Sequence, residues 1–89
     1  MREIIIDGKE LTDREALHEI LKNKLGFPEY YGKNLDALFD CLTDINEKTT
    51  IVFLDFDAAK ENLGGYAEAL KKVLKCADAE NDALKIKLR

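Results

Sequence analysis

TTIVFL, residues 49–54, sets four β-branched residues ahead of Phe53 and Leu54. Such residues favour a pleated strand, because their stiff, branched side chains pack well on it. The run does not alternate apolar with polar. Side chains on a strand point to opposite faces in turn, so Ile51 and Phe53 make one face apolar while Val52 and Leu54 do the same for the other. A strand apolar on both faces is expected to be covered on both sides by helices, which is the habit of parallel sheets.

The segments outward from it support that reading. Upstream, Glu3-Ile4-Ile5-Ile6-Asp7 reads as a buried strand closed by the turn Asp7-Gly8. Thr12-Asp13-Arg14-Glu15 has capping-box spacing and starts a helix on which Leu17, Ile20, Leu21 and Leu25 share a side, with Gly26 and Pro28 as its stop. Asn34 is a plausible N-cap for a second helix, with Leu35, Leu38 and Leu42 along one side and Phe39 at the border. Downstream, Asp57 can cap a short helix through Asn62. After Gly64-Gly65, the spacing of Tyr66, Ala69, Leu70, Val73, Leu74 and Ala77 predicts a longer one. Ala83 to Leu88 then alternates Leu84, Ile86 and Leu88 with Lys85 and Lys87, as an edge-like strand does. The expected fold is α/β: a small three-stranded parallel sheet packed with about four helices, its crossovers right-handed, in one domain over residues 1–89.

Composition narrows the function. Of 89 residues, 46% are hydrophobic and 36% charged, as in a soluble globular protein, and no apolar run approaches the roughly 18 residues of a membrane helix. The N-terminal apolar segment is short and breaks at Asp7, so no signal peptide is expected and the location is cytoplasmic. Eighteen acidic against fourteen basic residues give a net charge of −4, which opposes counterion release on a polyanion and favours a basic protein partner over nucleic acid. Cys41 and Cys76 have no spacing for zinc or redox chemistry and read as reduced thiols.

The residues of an enzyme are absent. His18 is the single histidine, and beside Leu17 it reads as a solvated or half-buried polar residue, not a general base. No GxGxxG, GxxxxGK[ST], HExxH or GxSxG occurs. Asp36, Asp40 and Asp44 recur every fourth residue on the second helix. As an acid/base pair they lack the burial that pushes pKa values apart, and as a Ca²⁺ or Mg²⁺ site they lack ligands converging from other elements. No catalytic residue, metal or cofactor is expected.

The acidic helix face is the unusual feature. Like charges four apart cost a helix about 0.2–0.5 kcal/mol per pair. Asp36, in the first turn, is favoured by the helix dipole; Asp40 is not, and Asp44 lies near the end that disfavours an anion. Tyr30 and Tyr31 precede this helix, and tyrosine is enriched at interfaces; one of the two is expected to anchor the loop and the other to meet a partner. Gly32 allows a positive φ or a close approach. An acidic helix edged with aromatic rings suits a concave basic site, such as one that holds RNA phosphates.

The stretch PEYYGKNLDALFDCL, Pro28 to Leu42, resembles the signature of the barstar family of intracellular ribonuclease inhibitors, and the likeness extends less closely over the whole chain. The resemblance implies a three-stranded parallel sheet with packed helices, and inhibition, not catalysis. It implies that the second helix and its preceding loop enter the active site of a basic, barnase-like microbial ribonuclease, their carboxylates taking the places of RNA phosphates. Asp40 would be the central anion, Asp36 would face a neighbouring basic group, and Tyr30 would stack at the cleft. Tyr31, Gly32, Asn34, Leu35 and Phe39 would border the contact, with Thr43 and Asp44 at its end. The family's usual helix tryptophan is Phe39 here, its following Gly-Trp is Asp44-Ile45, and the place of its last-helix glutamate falls on Cys76, with Asp78 or Glu80 as possible substitutes. The expected molecule is a monomer when free. The alternative is an interaction or immunity module for a different, non-barnase protein partner.

Overall fold

A computed structural model describing residues 2–89 has three parallel strands in one sheet. In chain order the elements are β1 (Arg2–Asp7), a 3-10 turn (Gly8–Glu10), α1 (Arg14–Leu25), α2 (Leu35–Thr43), β2 (Thr49–Leu54), α3 (Phe56–Leu63), α4 (Gly65–Glu80) and β3 (Leu84–Leu88). The strand order is β1-β2-β3, so TTIVFL is the central strand. The α/β class, the three parallel strands and the four α-helices agree with the expectation from the sequence.

Register explains the core. Ile4 pairs with Ile51 and Ile51 with Ile86, and Ile6, Phe53 and Leu88 form the next row on the same face. These rows pack with Leu17, Leu21 and Leu25 of α1, Leu38 and Leu42 of α2, and Leu70, Leu74 and Ala77 of α4 in a single apolar cluster. Each fully buried Leu, Ile or Phe among them contributes about 1.5–3 kcal/mol on leaving water.

The other face differs from the expectation. Its rows are Glu3, Thr50 and Lys85, then Ile5, Val52 and Lys87. Ile5 and Leu54 stand 47% and 41% exposed, and Val52, though buried, is outside the cluster that the helices complete. Helices cover one face only. In so narrow a sheet the central strand is shielded by side chains of its two neighbours, so apolar residues on both faces of β2 do not require helices on both. β1, expected to be buried, is an edge strand in which Ile6 alone is fully enclosed.

Local starts and stops are partly as expected. α1 is capped by Asp13, whose Oδ1 accepts from the Ala16 N–H at 2.8 Å, and not by Thr12. It ends at Gly26 in the left-handed region, φ 70°. α3 begins one residue before Asp57, after Asp55 at φ 51°, and has no side-chain cap. Gly8 has its own reason to be glycine: a Cβ there would run into the Asp55 carbonyl, where the 3-10 turn closes on the end of β2. The edge of β3 is also guarded, since the Ile86 N–H donates to Asp78 Oδ2 at 2.7 Å.

Candidate functional site

The chain is steered into α2 by a tight loop. Gly26 ends α1, and the Tyr31 N–H donates to the Pro28 carbonyl across a turn. Lys33, not Gly32, takes the left-handed conformation, at φ 53°. Gly32 serves by its size, because a Cβ there would crowd Ala37 Cβ and Asn34 Nδ2, both at 3.3 Å. Asn34 is the N-cap: its Oδ1 accepts from the Ala37 N–H at 2.8 Å, and its Nδ2 donates to the Gly32 carbonyl at 3.3 Å.

The two tyrosines part company. Tyr30 is 88% exposed at the tip of the loop. Tyr31 is buried, its ring 4.9 Å from that of Phe27 and its hydroxyl 2.6 Å from His18 Nδ1. Burial pushes the Tyr31 hydroxyl well above the ordinary tyrosine range, with weaker pressure from Cys41 and Tyr66. Tyr31 therefore anchors the loop from inside and presents no ring to a partner. His18 is correspondingly not solvated: it is 1% exposed, with Nε2 2.7 Å from the Tyr66 hydroxyl of α4.

Along α2, Asp36, Asp40 and Asp44 are all exposed, and among the described residues none lies in an ion pair. Lys33, the nearest cation in sequence, is instead held by Glu19 of α1 at 2.7 Å. Asp44 is the C-cap, its N–H donating to the Asp40 carbonyl. Thr43 Oγ1 donates to the Phe39 and Asp40 carbonyls at 2.9 and 3.1 Å, so its hydroxyl is spent within the helix. Beneath the strip, burial raises the Cys41 thiol pKa, and the Asp44 and Asp40 charges add to it, keeping the thiol protonated.

Two depressions flank this strip. A groove of about 580 Å³ between α2 and α4 has Leu35, Phe39, Val73, Cys76 and Ala79 as its apolar lining, and Asp36, Asp40, Glu80 and Lys72 as its charged lining. A second, of about 380 Å³, lies between the loop and the end of α2 and includes Phe27, Tyr30, Asp40, Asp44 and Ile45. Asp40 lines both. On α4, Cys76 and Glu80 thus share the groove with Asp36 and Asp40, whereas Asp78 is turned to β3.

One supporting residue escaped sequence reasoning. Asn81 Nδ2 donates to the Leu42 and Ile45 carbonyls at 2.9 and 2.8 Å, fastening the end of α2 to the turn after α4. Its partners are 39 and 36 residues away, so no local pattern announces them. Among the described residues, no three His, Cys, Asp or Glu side chains group as a metal site. No helix there is long and apolar enough to cross a membrane.

A family model described as "Barstar (barnase inhibitor)" matches residues 1–89. The chain belongs to the barstar family. Members of that family are inhibitors, not enzymes. A Bacillus subtilis (strain 168) protein named "Putative ribonuclease inhibitor YrdF" is 47% identical over 88 residues, which span 97% of each chain. In this barstar-family chain, the stretch that carries the signature is also the stretch that builds the acidic strip and its tyrosine loop.

Proposed function

We propose that this chain is a cytoplasmic inhibitor of a basic, barnase-like microbial ribonuclease, which it blocks by presenting Tyr30 and the outer face of α2 to the active-site cleft. The carboxylates stand where RNA phosphates would lie. The observation that supports this is the state of Asp36, Asp40 and Asp44: exposed, and unpaired among the described residues, on a helix capped at both ends. Their mutual repulsion, about 0.2–0.5 kcal/mol per pair in the free helix, is small beside what a basic cleft returns on pairing them.

Asp40 is the central anion, Asp36 meets a neighbouring cation, and Tyr30 stacks at the cleft edge. Leu35 and Phe39 supply apolar contact, with Glu80 as the acid that α4 contributes, since Asp78 is engaged with β3. One copy blocks one nuclease, and no cofactor takes part. A second reading keeps the binding face and changes the partner. Cys76, where the family usually has a glutamate, leaves the α2/α4 groove more apolar, which suits a different nuclease surface or an immunity role against another protein toxin.

Inhibition of RNA hydrolysis by a barnase-type ribonuclease tests the proposal. Asp40→Ala is expected to weaken inhibition by about 2–5 kcal/mol, a range for truncating one side of a hydrogen-bonded charge pair that draws in part on the barnase–barstar complex itself. Glu61→Ala, on the exposed side of α3, serves as the control and should leave inhibition unchanged. Equal inhibition by wild type and Asp40→Ala would remove the mechanism.

A further inference from the structure

The sheet face turned away from the helices carries its charges in columns. Glu3, Ile5 and Asp7 lie on β1, Thr50, Val52 and Leu54 beside them on β2, and Lys85 and Lys87 beside those on β3. Arg89, past the end of β3, lines a depression with Ile86, Leu88 and residues of α3 and α4, so it stands outside this column. One edge is acidic, the middle is neutral and the far edge is basic. Among the described residues, Glu3, Lys85 and Lys87 have no ion-pair partner. Ile5 and Leu54 are two of the three large hydrophobic side chains left most exposed, the third being Tyr30 on the α2 side.

We infer that a second copy of this chain covers this face, forming a weak two-fold dimer in which the two sheets stack with their strands parallel. A two-fold axis lying between the sheets and along β2 sets β1 of each copy over β3 of the other. Glu3 then meets Lys85 of the second copy, and Ile5 lies against the aliphatic stem of its Lys87. Val52 and Leu54 face their own counterparts. An axis across the strands would instead stack acid on acid and base on base, so the columns select one geometry. A face three strands wide at about 4.8 Å and five residues long at about 3.3 Å measures roughly 14 by 17 Å. That falls short of the roughly 1,000 Å² of a stable interface, so the dimer has a Kd of about 10 μM to 1 mM. Both α2 faces stay open, because α2 belongs to the helical layer behind the sheet.

Sedimentation velocity over about 5 μM to 1 mM, in low salt, together with amide NMR on dilution, tests this. Wild type should pass from monomer to dimer, with dilution shifts centred on Ile5, Val52 and Leu54. Glu3→Lys and Lys85→Glu should each weaken association about tenfold or more, and the double exchange should restore it, because the opposed pair is merely reversed. Leu54→Asp should abolish it. A chain that remains monomeric to 1 mM, shifts that map to α2, or single and double reversals that behave alike would overturn the dimer and leave the face to solvent or to a different protein.

Discussion

His18 ties three elements together: it sits on α1, and its ring nitrogens lie 2.6 Å from the Tyr31 hydroxyl in the loop and 2.7 Å from the Tyr66 hydroxyl on α4. A neutral ring donates to one of these and accepts from the other. Burial, and secondarily the charge of Lys33, lowers its pKa below the ordinary 6.5. The unfolded chain therefore binds a proton below pH 6.5 that the folded chain resists. The stability that neutral His18 contributes is complete above pH 6.5 and is lost as pH falls from there towards the lowered value. Urea unfolding at about pH 7.5 and about pH 5 should show a lower midpoint in acid, and His18→Gln should flatten that difference. A wild-type midpoint unchanged by acid would contradict the assignment. The residues alone announced that one tyrosine would anchor and the other would be free, and the choice of Tyr30 for the cleft came only from the family resemblance. That choice depends on His18, whose partners are 13 and 48 residues away.

At the scale of elements, α2 owes its position to two asparagines. Asn34 caps its start, and Asn34→Ala should cost about 0.5–2 kcal/mol in denaturant stability while loosening the turn that carries Asp36. Asn81 holds its end, and Asn81→Ala, which removes the side-chain donor to the Leu42 and Ile45 carbonyls, should cost about 1–3 kcal/mol. Unchanged unfolding midpoints in either variant would refute these roles. The first residue was legible, because an N-cap acts on an amide three residues ahead. The second was not, because it joins segments far apart in the chain. Short-range ambiguity had its own effect at α1: Thr12 and Asp13 are both good caps, and the aspartate took the place. The loop kept its glycine but put the left-handed turn on Lys33, whose side chain Glu19 then holds.

For the whole molecule, the sheet divides the surface into unlike regions. The helical layer offers the acidic strip and Tyr30, while the opposite face carries Ile5 and Leu54 between an acidic and a basic edge. The fold class was legible because three β-rich runs are separated by helix-period segments. The one-sided cover was not, since a central strand reads as apolar on both faces whether helices or flanking strands shield it. On the proposed function, the strip together with the net charge of −4 should steer a basic nuclease onto α2 before contact. The central claim is that this strip is what the nuclease meets. Its most direct test is stopped-flow measurement of the association rate constant between about 0.02 and 0.5 M salt, for wild type and for Asp36→Asn/Asp40→Asn/Asp44→Asn. The wild-type rate should fall steeply, by about tenfold or more across that range, while the neutralised variant associates slowly with a shallow salt dependence. Equal rates and equal salt slopes for the two proteins would contradict the claim.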